Sequence, residues 1–547
     1  MPRRAPYART EPAHSFFYAP AQLPMARQAP DTEALLTQVS HAFTHPFNTR
    51  QAEAFARSFT QRLVLLWGPP GTGKTTVLAG IILGWLERAW QHGEPVCMGI
   101  GASNYNAIDN VLTEVAEVLE HRYQRVGGPP LATHLLRVRS ASASAPLDAR
   151  IADIVQHSDD ARDLVGACAA PQTCLLIGGT WMQLGRLAAM MSRTGEPAAP
   201  WFDLLLLDEA SQVPVAAAAA YFLLLKPEAH VVLAGDHKQL GPIYGFEIRD
   251  SGHGLFDCIF AYMRETHGQQ PVALERNYRT NLEIAAWPKA RFYSEGYEAF
   301  FPQRRLQLSL PPPCGHPPVL WPSSLPWSDL FLTLLDPTMP VTVVSYAAQP
   351  FTLSNAFEAQ LVASLAYLYR CLLHRDGHGS DDQAFWADAL GIVTPHRAQM
   401  ATIRNLLVEA AGMPMDPPPF VDTVDRFQGQ ERDLMIASYV VADRDFVASE
   451  EAFILNPRRF NVTLTRARSK FIMFVSEAIL QHLPSDAEVA RDAAHLQLFV
   501  EEYCASIREE IVLPYVDGTT LMPMACTLRG HVQASLRASS LNKQVVS

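Results

Sequence analysis

The sequence predicts an α/β protein in which two parallel sheets are each flanked by helices. Two stretches alternate strand-like apolar runs with helical patterns, which is typical of parallel sheets. The apolar runs of the first stretch lie at 63–68, 95–101, 174–179, 202–208 and 230–236, and those of the second at 340–346, 390–395, 434–440 and 471–476. A chain of 547 residues exceeds what one ordinary core accommodates, so we expect several domains.

The segments outside and between the two sheets differ in sequence character. A proline-rich N-terminal extension either lies on the body of the protein or stays mobile. An insertion into the first sheet exceeds an ordinary connection, so we expect a small helical unit. A proline cluster predicts an irregular insertion into the second sheet. An amphipathic helix over 487–512 precedes a tail that is expected to be loose. The predicted organisation is an extension at 1–46, a first domain at 47–265 with its insertion at about 113–172, a second domain at 266–484 with its insertion at about 300–338, and a C-terminal segment at 485–547.

Composition and charge limit the classes of protein that the chain can be. Hydrophobic residues make up 48% and charged residues 18% of the chain. No apolar run reaches the roughly 20 residues of a membrane helix. Eight cysteines without a C-x-x-C pair argue against a disulfide framework or zinc module, so an intracellular site, cytoplasmic or nuclear, is expected. The basic N-terminus lacks the apolar run of a secretory signal. A net charge of −11 argues against a broad basic face for duplex DNA but allows a narrow single-strand channel.

A P-loop pattern follows the first apolar run directly and precedes a helical pattern. Its glycines let backbone N–H groups face phosphate oxygens, Lys74 reaches the outer phosphates, and the Thr75 hydroxyl ligates Mg²⁺. The alternative is a glycine turn that binds nothing, and the strand before it and the helix after it argue against that interpretation. The residues predicted to bind the nucleotide here are Gly68, Pro69, Pro70, Gly71, Thr72, Gly73, Lys74, Thr75 and Thr76.

Polar residues also follow two later apolar runs of the first stretch. Asp208 and Glu209 are expected at the same sheet edge as the P-loop, where Asp208 would hold Mg²⁺ through its water shell and Glu209 would polarise the attacking water. Alone, such a pair is equally consistent with a solvated turn, and the P-loop earlier in the chain favours the catalytic interpretation. Gln239 follows the next run and could contact the γ-phosphate or the water.

Six motifs in this order resemble those of superfamily 1 helicases. They are GPPGTGKT (68–75), DEASQ (208–212), GDHKQLGP (235–242), NYR (277–279), TVDRFQGQE (423–431) and NVTLTRAR (461–468). The resemblance covers about residues 47–480 and is greatest to the Upf-like branch, which includes nonsense-mediated-decay RNA helicases and related DNA helicases. It implies two tandem RecA-like P-loop NTPase domains that hydrolyse ATP, with Mg²⁺, in the cleft between them.

The resemblance also assigns individual residues to the nucleotide. Tyr278 matches the aromatic residue that stacks on adenine, and Gln51 matches the glutamine that reads the adenine edge. Arg279 matches an arginine that reaches the γ-phosphate, and Arg466 matches the arginine finger. By residue type alone, Arg466 would more often be a surface arginine. Gly429 and Glu431 match a segment beside the nucleotide, with Glu431 facing the sugar. The implied catalytic set is Lys74, Asp208, Glu209, Gln239, Arg279 and Arg466.

A track for one nucleic-acid strand is implied across both domains. Residues at matching positions are Asn106, Asp109 and Thr180 in the first domain and Thr394, Pro395, His396, Thr423 and Arg426 in the second. Tyr105 departs from the small or polar residue usual at its position, and it either stacks on a base or packs inside the domain. Glu358 lies at a matching acidic position, and its role stays open.

The implied function is that of an ATP-dependent helicase or translocase on single-stranded RNA or DNA, with 5′→3′ travel. The alternative is an ATP-dependent clamp or protein-displacing remodeller that does not unwind duplex. Residues 1–46 are too few for the β-barrel or the zinc module that some relatives carry, and the missing barrel supports this alternative. A scaffold with a decayed motor is disfavoured by the intact catalytic set. We expect a monomer that binds no membrane and whose protein partners would use the N- or C-terminal extension.

Overall fold

A computed structural model describes residues 12–25, 30–129, 131–140, 147–155, 172–191, 200–242, 256–294, 296–377, 382–411, 418–427 and 429–532. The chain divides into two compact units, Met1–Glu275 and Arg276–Ser547, each of which has its own large sheet. The predicted α/β class with two tandem domains is confirmed. The division follows Glu275 rather than residue 265, because the short strand Val272–Ala273 pairs with the first strand of the first unit.

The large sheet of the first unit is parallel throughout its described strands. These strands are β1 (Leu63–Trp67), β2 (Cys97–Gly101), β3 (Ala132–Arg139), β4 (Ile151–Val155), β5 (Thr173–Gly178), β6 (Phe202–Leu207), β7 (Leu225–Gly235) and β8 (Val272–Ala273). Their order across the sheet is β4-β3-β5-β2-β6-β7-β1-β8. The apolar side chains of the central strands β1, β6 and β7 are buried on both faces, which explains why these strands read as continuous apolar runs.

Helices cover this sheet, and local sequence signals explain where several of them begin. The described α-helices are α1 (Pro12–Tyr18), α2 (Thr32–Ser40), α3 (Thr49–Thr60), α4 (Lys74–His92), α5 (Tyr105–Val126), α6 (Trp181–Met191), α7 (Val215–Phe222) and α8 (Ile259–Ala261). The Asp31 carboxylate caps α2, and Asn48 and Gln51 form a capping box at α3. In α1, Phe16 is fully buried, with its ring 5.6 Å from that of Phe222. The described part of the N-terminal extension therefore lies on the body of the first unit.

The expectation of a separate helical unit at 113–172 is wrong for the residues described there. Helix α5 occupies the first part of this segment, and β3 and β4 then add two parallel strands to the large sheet. Leu136 of β3 is opposite Ile177 of β5 and is fully buried. The periodicity of such a short apolar run does not show whether it forms a strand or a helix. Pairing of β3 with β5 favours the strand because it satisfies the backbone hydrogen bonds. Residues 156–171 lie outside the described part of the chain.

The second unit has a mixed sheet and a separate parallel pair of very short strands. The short pair is β9 (Arg276–Asn277) and β10 (Glu298–Ala299). The strands of the sheet are β11 (Val341–Tyr346), β12 (Leu390–Val393), β13 (Val421–Asp422), β14 (Arg432–Ser438), β15 (Ala467–Ser476), β16 (Ile507–Asp517) and β17 (Thr520–His531). They are arranged in the order β13-β12-β14-β15-β11-β17-β16, in which the first five are mutually parallel.

Helices and a long irregular segment surround this second sheet. The described α-helices are α9 (Leu282–Arg291), α10 (Leu330–Leu335), α11 (Ala356–Arg375), α12 (Asp382–Ala384), α13 (Arg397–Ala411), α14 (Arg444–Ser449), α15 (Glu451–Ile454), α16 (Pro457–Thr465), α17 (Glu477–Leu480) and α18 (Ala487–Leu498). Residues 300–329 contain neither helix nor strand, as the proline cluster predicts. Leu306 and Leu325 nevertheless anchor this segment in the core beside α11.

The C-terminal expectation of a helix over 487–512 followed by a loose tail is correct only for the first part of the helix, which continues past Leu498 as a short π-helix over Phe499–Tyr503. The α-helix ends at Leu498, and residues 507–531 form the antiparallel hairpin β16–β17, whose second strand pairs with β11. The two-residue loop Gly518–Thr519 joins the strands, with Gly518 at a φ of +60°, and glycine at the first position of such a loop is a hairpin signal that the helical interpretation missed. Residues 533–547 lie outside the described chain. No described helix has both the length and the apolar character needed to cross a membrane.

Candidate nucleotide and nucleic-acid sites

The P-loop connects the end of β1 to the start of the long helix α4. Gly73 precedes α4 with a φ of +83°, a left-handed conformation that favours glycine. The Lys74 ammonium donates to the carbonyl of Gly68 at 2.7 Å. A Cβ atom at Gly68 would lie 2.2 Å from Cγ of Lys74, so only glycine fits beneath this side chain. The loop therefore presents backbone N–H groups and one lysine at the N-terminus of a helix, an arrangement that suits phosphate binding.

Gln51 lies against the P-loop through contacts that its sequence position does not show. Its side-chain oxygen accepts from the N–H of Asn48 at 3.0 Å, and its side-chain nitrogen donates to the carbonyl of Thr72 at 3.3 Å. Only 4% of Gln51 is exposed. The structure therefore brings Gln51 beside the loop to which the resemblance assigns it.

Two buried acids lie where β6 ends. The N–H of Asp208 donates to the carbonyl of Gly101, and the N–H of Glu209 donates to the Asp208 carboxylate at 2.8 Å. Burial and then the charge of Glu209 raise the pKa of Asp208, whereas the charge of Lys74 lowers it. Oε2 of Glu209 is buried and has no hydrogen-bond partner among the described residues. Two neighbouring buried carboxylates, one of them with an oxygen that lacks a hydrogen-bond partner among the described residues, have the chemistry that suits a divalent cation.

Gln239 is held by a residue that the sequence did not single out. Asp236, which directly follows β7, accepts from the indole N–H of Trp67 at 3.1 Å and from the side-chain amide of Gln239 at 2.9 Å. Asp236 is fully buried and Gln239 is 1% exposed. Because Trp67 immediately precedes the P-loop, Asp236 ties the position of Gln239 to that of the loop. The motif GDHKQ contained the signal, since an acid directly after a strand end often accepts local hydrogen bonds.

The second unit brings its predicted nucleotide residues into one network. Arg279 pairs with the Glu431 carboxylate and donates to the carbonyl of Thr465 at 3.2 Å. Burial opposes ionisation of Glu431, but Arg279 above all, then Arg468 and Arg466, hold its pKa below the ordinary value. Arg466 is 3% exposed, so it is not the surface arginine that its residue type suggests. The structure thus gathers Arg279, Glu431 and Arg466 in this unit, with Glu431 engaged by Arg279.

Tyr278 adjoins this network and has an aromatic neighbour from the proline-rich insertion. The ring of Phe300 lies 4.9 Å from that of Tyr278, and the N–H of Phe300 donates to the carbonyl of Asn277 at 2.7 Å. Pairing of β9 with β10 brings the two segments together. The position of Tyr278 is therefore set by a contact with a residue about twenty positions later in the sequence.

The nucleic-acid candidates of the first unit differ in how their side chains are used. Asn106 is exposed at the start of α5, whereas the N–H and the hydroxyl of Thr180, just before α6, both donate to the side-chain oxygen of Gln183 at 2.9 Å. Both carboxylate oxygens of Asp109 accept from Arg137, at 2.7 and 2.6 Å, so this side chain is engaged inside the unit. The hydroxyl of Tyr105 accepts from the backbone N–H of Ser140 at 3.0 Å. Tyr105 is half-buried, with its hydroxyl engaged inside the unit, and the choice between its two roles stays a prediction.

Arg137 is expected to be essential for the stability of the first unit. It is 1% exposed and pairs with Asp109 and, at 3.5 Å, with Asp153. Arg137→Met would leave Asp109 without its counter-ion, whereas Asp153 would keep Arg139 at 2.7 Å. Loss of one partner of a buried ion pair typically costs about 3–5 kcal/mol. Urea unfolding measures this loss. The surface pair of Arg57 with Glu53 supplies the control, because Arg57→Met should cost less than about 1 kcal/mol. Equal losses in the two variants would contradict the prediction.

The candidates of the second unit lie where β12 and β13 end. Thr394, Pro395 and His396 join β12 to α13, and the N–H of Thr394 donates to the carbonyl of Asp422 at 3.1 Å. This bond brings Thr394 beside the segment of Thr423, and both residues line one pocket. Nε2 of His396 lies 3.3 Å from the Glu450 carboxylate. The side chain of Arg426 is 70% exposed, so it is available to a phosphate.

Glu358, whose role the sequence left open, is the centre of a buried network at the same sheet edge. It accepts from the Tyr346 hydroxyl at 2.5 Å, from the Ser438 hydroxyl at 2.5 Å and from the N–H of Val440 at 2.9 Å. Val440 has a φ of +69°, which is uncommon for a β-branched residue, and the Asn355 amide also donates to its carbonyl. The network therefore fixes a strained turn next to the pocket.

A Glu358→Gln variant is expected to alter the pH dependence of stability. Burial raises the pKa of Glu358 from 4.5 to about 7. Because the folded state holds this proton more tightly than the unfolded state, protonation of Glu358 adds to the free energy of unfolding. This stabilisation is complete below pH 4.5 and is lost as the pH rises through about 7. Glutamine cannot titrate, so the free energy of unfolding of the variant should fall less between these two pH values. Urea unfolding of both proteins from pH 5 to 8 tests this, and parallel curves would contradict it.

Comparison with known proteins supports the resemblance that the motifs indicate. Two AAA domain families match the chain, one over residues 51–246 and the other over 255–478. The DNA replication ATP-dependent helicase/nuclease JHS1 of Arabidopsis thaliana is 25% identical over 450 residues, which cover 80% of this chain and 29% of that protein. The DNA replication ATP-dependent helicase/nuclease DNA2 of Saccharomyces cerevisiae is 24% identical over 474 residues, which cover 84% of this chain and 28% of that protein.

A third relative extends the comparison beyond the helicase/nucleases. The ATP-dependent helicase NAM7 of Saccharomyces cerevisiae is 24% identical over 449 residues, covering 77% of this chain and 41% of that protein. The chain thus spans less than half the length of each of these relatives. The two AAA domain matches and these relatives, which are ATP-dependent helicases, support the resemblance to superfamily 1 helicases that the six motifs indicate.

Proposed function

We propose that this protein is an ATP-driven motor that moves along single-stranded nucleic acid. The observation that carries the proposal is the distribution of phosphate-directed groups over the two units. The first unit holds Lys74 and the acids Asp208 and Glu209 at one sheet edge, and the second holds Arg279 and Arg466 in one network. Phosphoryl transfer is catalysed largely by positioning and by neutralising charge, and these groups are the types that do both.

In the first unit, the P-loop would bind the β- and γ-phosphates, and Lys74 would exchange its bond to the Gly68 carbonyl for one to a phosphate oxygen. Thr75 and Asp208 would hold Mg²⁺, which supplies neutralisation of phosphate charge. Glu209 has a buried oxygen without a partner among the described residues, so it can accept a proton from the attacking water. Asp236 would keep Gln239 aligned with the loop.

Arg279 and Arg466 would act on the same nucleotide from the second unit. A guanidinium is planar and permanently charged, which suits it to the charge that builds on the transferring phosphoryl group. Because hydrolysis would need residues of both units, the nucleotide state would be coupled to movement of one unit against the other. Alternating grip on the strand would convert that movement into steps, with 5′→3′ travel.

Contacts to the phosphate backbone of the strand would supply most of the affinity of the nucleic-acid track. Exposed Asn106 in the first unit and exposed Arg426 in the second are the side chains best placed to reach phosphates. A net charge of −11 means that such contacts are local rather than spread over a basic face. We therefore propose a single strand of RNA or DNA as the substrate.

Steady-state ATPase rates test this function. They are measured without nucleic acid, with single-stranded RNA and with single-stranded DNA, and the Lys74→Ala protein serves as the blank. We expect strong stimulation by at least one polymer, which then identifies the substrate. Absence of stimulation by both would refute a nucleic-acid motor. A strand-displacement assay with the stimulating polymer then separates a helicase from a clamp or protein-displacing remodeller.

A further inference from the structure

The proline-rich insertion begins with five residues that contact the NYR motif of the second unit. These residues, 300–304, are called the clamp segment, and they follow β10 directly and contain neither helix nor strand. The N–H of Phe300 donates to the carbonyl of Asn277 at 2.7 Å, and the N–H of Leu282 donates to the carbonyl of Pro302 at 3.3 Å. The clamp segment therefore lies along the stretch of chain that holds the two nucleotide-directed residues of the motif.

Arg304 makes the most direct contact of the clamp segment. Its Nη1 atom donates to the carbonyl of Arg279 at 2.6 Å and reaches the carbonyl of Tyr278 at 3.5 Å. The guanidinium lies 4.7 Å from the centre of the Phe301 ring. A planar guanidinium that stacks on a ring while it donates to carbonyls has little freedom to rotate. Arg304 thus fixes the peptide group that follows Arg279.

A buried asparagine holds the backbone of Arg304 in turn. Asn281 is fully buried, and its side-chain nitrogen donates to the carbonyls of Arg304 at 3.0 Å and of Ser469 at 2.8 Å. Its side-chain oxygen accepts from the N–H of Ile284 at 3.0 Å and so caps α9. Asn281 therefore ties the clamp segment to the first turn of α9 and to β15. The clamp segment is irregular, but it is supported by regular elements.

The backbone of Arg279 is held on both sides of its side chain. The N–H of Arg279 donates to the side chain of Asn277 at 2.8 Å, and its carbonyl accepts from Arg304. The guanidinium of Arg279, which pairs with Glu431, therefore extends from a fixed point. A catalytic group that is misplaced by about 1 Å can cost about a hundredfold in rate. Small changes in this backbone would accordingly matter to a residue that has to meet a γ-phosphate.

We propose that Arg304 is a positioning residue for ATP hydrolysis, which holds Arg279 in the conformation that meets the γ-phosphate. The proposal rests on the proposed function and adds to it a residue that lies outside the six motifs, 25 positions after Arg279. The contact of Phe300 with the Tyr278 ring supports the same motif from the side directed to adenine. The beginning of the proline-rich insertion is then a working part of the nucleotide site of this unit.

A double-mutant cycle on Arg304 and Arg279 tests the proposal. Single-turnover phosphate release measures ATP hydrolysis, with the protein in saturating excess so that weaker binding does not affect the rate. Arg304→Met is made in the wild-type and in the Arg279→Ala background, and Arg304→Lys keeps a cationic donor. Arg375→Met is the matched control, because Arg375, the last residue of α11, also donates to a carbonyl of the proline-rich insertion, that of Ser309.

A positioning role predicts that the effect of Arg304 depends on Arg279. Arg304→Met should lower the rate roughly tenfold in the wild-type background, because Arg279 loses its fixed position. In the Arg279→Ala background the same change should alter the rate by less than about twofold, because no guanidinium remains to be positioned. Arg304→Lys should recover most of the rate, and Arg375→Met should match the wild type.

Other outcomes would overturn one proposal or the other. An equal loss in both backgrounds would show that Arg304 acts independently of Arg279, and a wild-type rate in Arg304→Met that urea unfolding shows to be folded would remove its role altogether. If Arg304→Met does not fold, Arg304→Gln, which keeps a shorter polar side chain, repeats the cycle with the same expectations. Absence of ATP hydrolysis by the wild-type protein would instead overturn the proposed function on which this role depends.

Discussion

Replacement of Arg466 by alanine is expected to lower kcat for ATP hydrolysis by roughly a thousandfold, because arginine fingers contribute about 10³–10⁵ to kcat. Arg466 is 3% exposed, and its charge acts on Glu431 in the same network as Arg279. The charge that it would neutralise develops in the transition state, so KM for ATP should change little. Steady-state ATPase rates with saturating nucleic acid give both constants.

A matched arginine variant controls for this result. Arg444 is exposed in the second unit, and Arg444→Ala should keep wild-type rates. A urea transition of Arg466→Ala that coincides with that of the wild type would show that the variant is folded. Wild-type hydrolysis by folded Arg466→Ala would contradict an active site built from residues of both units.

Lys74→Ala is expected to reduce kcat/KM for ATP by at least roughly a hundredfold, comparable to the loss of one preorganised charge-stabilising donor. Lys74 is the first residue of α4, and its ammonium already reaches back to the Gly68 carbonyl across the loop. Unlike Arg466, it would contact phosphates in the ground state and in the transition state. Weaker binding of a fluorescent ATP analogue should therefore accompany the loss of rate.

The control for Lys74 is a lysine at the start of a strand in the same unit. Lys226 lies near the beginning of β7 and pairs with Asp203 at 2.7 Å, with 40% of its side chain exposed. Parallel strands place their beginnings at the opposite edge from the P-loop, so Lys226→Ala should leave ATP binding and hydrolysis unchanged. Equal defects in the two lysine variants would indicate a general loss of folding instead of a lost phosphate contact.

The sequence predicted most of the first unit's candidate site because that half consists of contiguous segments at strand ends. The P-loop needs only consecutive residues, and Asp208 and Gln239 each lie within four residues of a strand end. Parallel strands that end at one edge bring such residues together without further information. The influence of Lys74 on the pKa of Asp208 reflects this proximity.

Prediction failed where two elements distant in sequence had to pair. Strand β3 lies in a segment expected to be helical, and its identity depends on pairing with β5. Strand β17 lies in a segment expected to be a loose tail, yet it pairs with β11, with Val341 opposite His531. A short apolar run gains its conformation from the strand beside it, and that neighbour is absent from a local window of sequence.

The sequence by itself determined the α/β class, the two tandem domains and the resemblance to superfamily 1 helicases, because each rests on local periodicity or on motifs of consecutive residues. Tertiary structure alone decided which charged residues are functional candidates and which are internal supports. It joins Asp109 to Arg137, surrounds Glu358 with three hydrogen-bond donors, and leaves the Thr394 hydroxyl without a partner among the described residues. These outcomes depend on burial and on hydrogen-bond partners that are distant in the sequence but close in space.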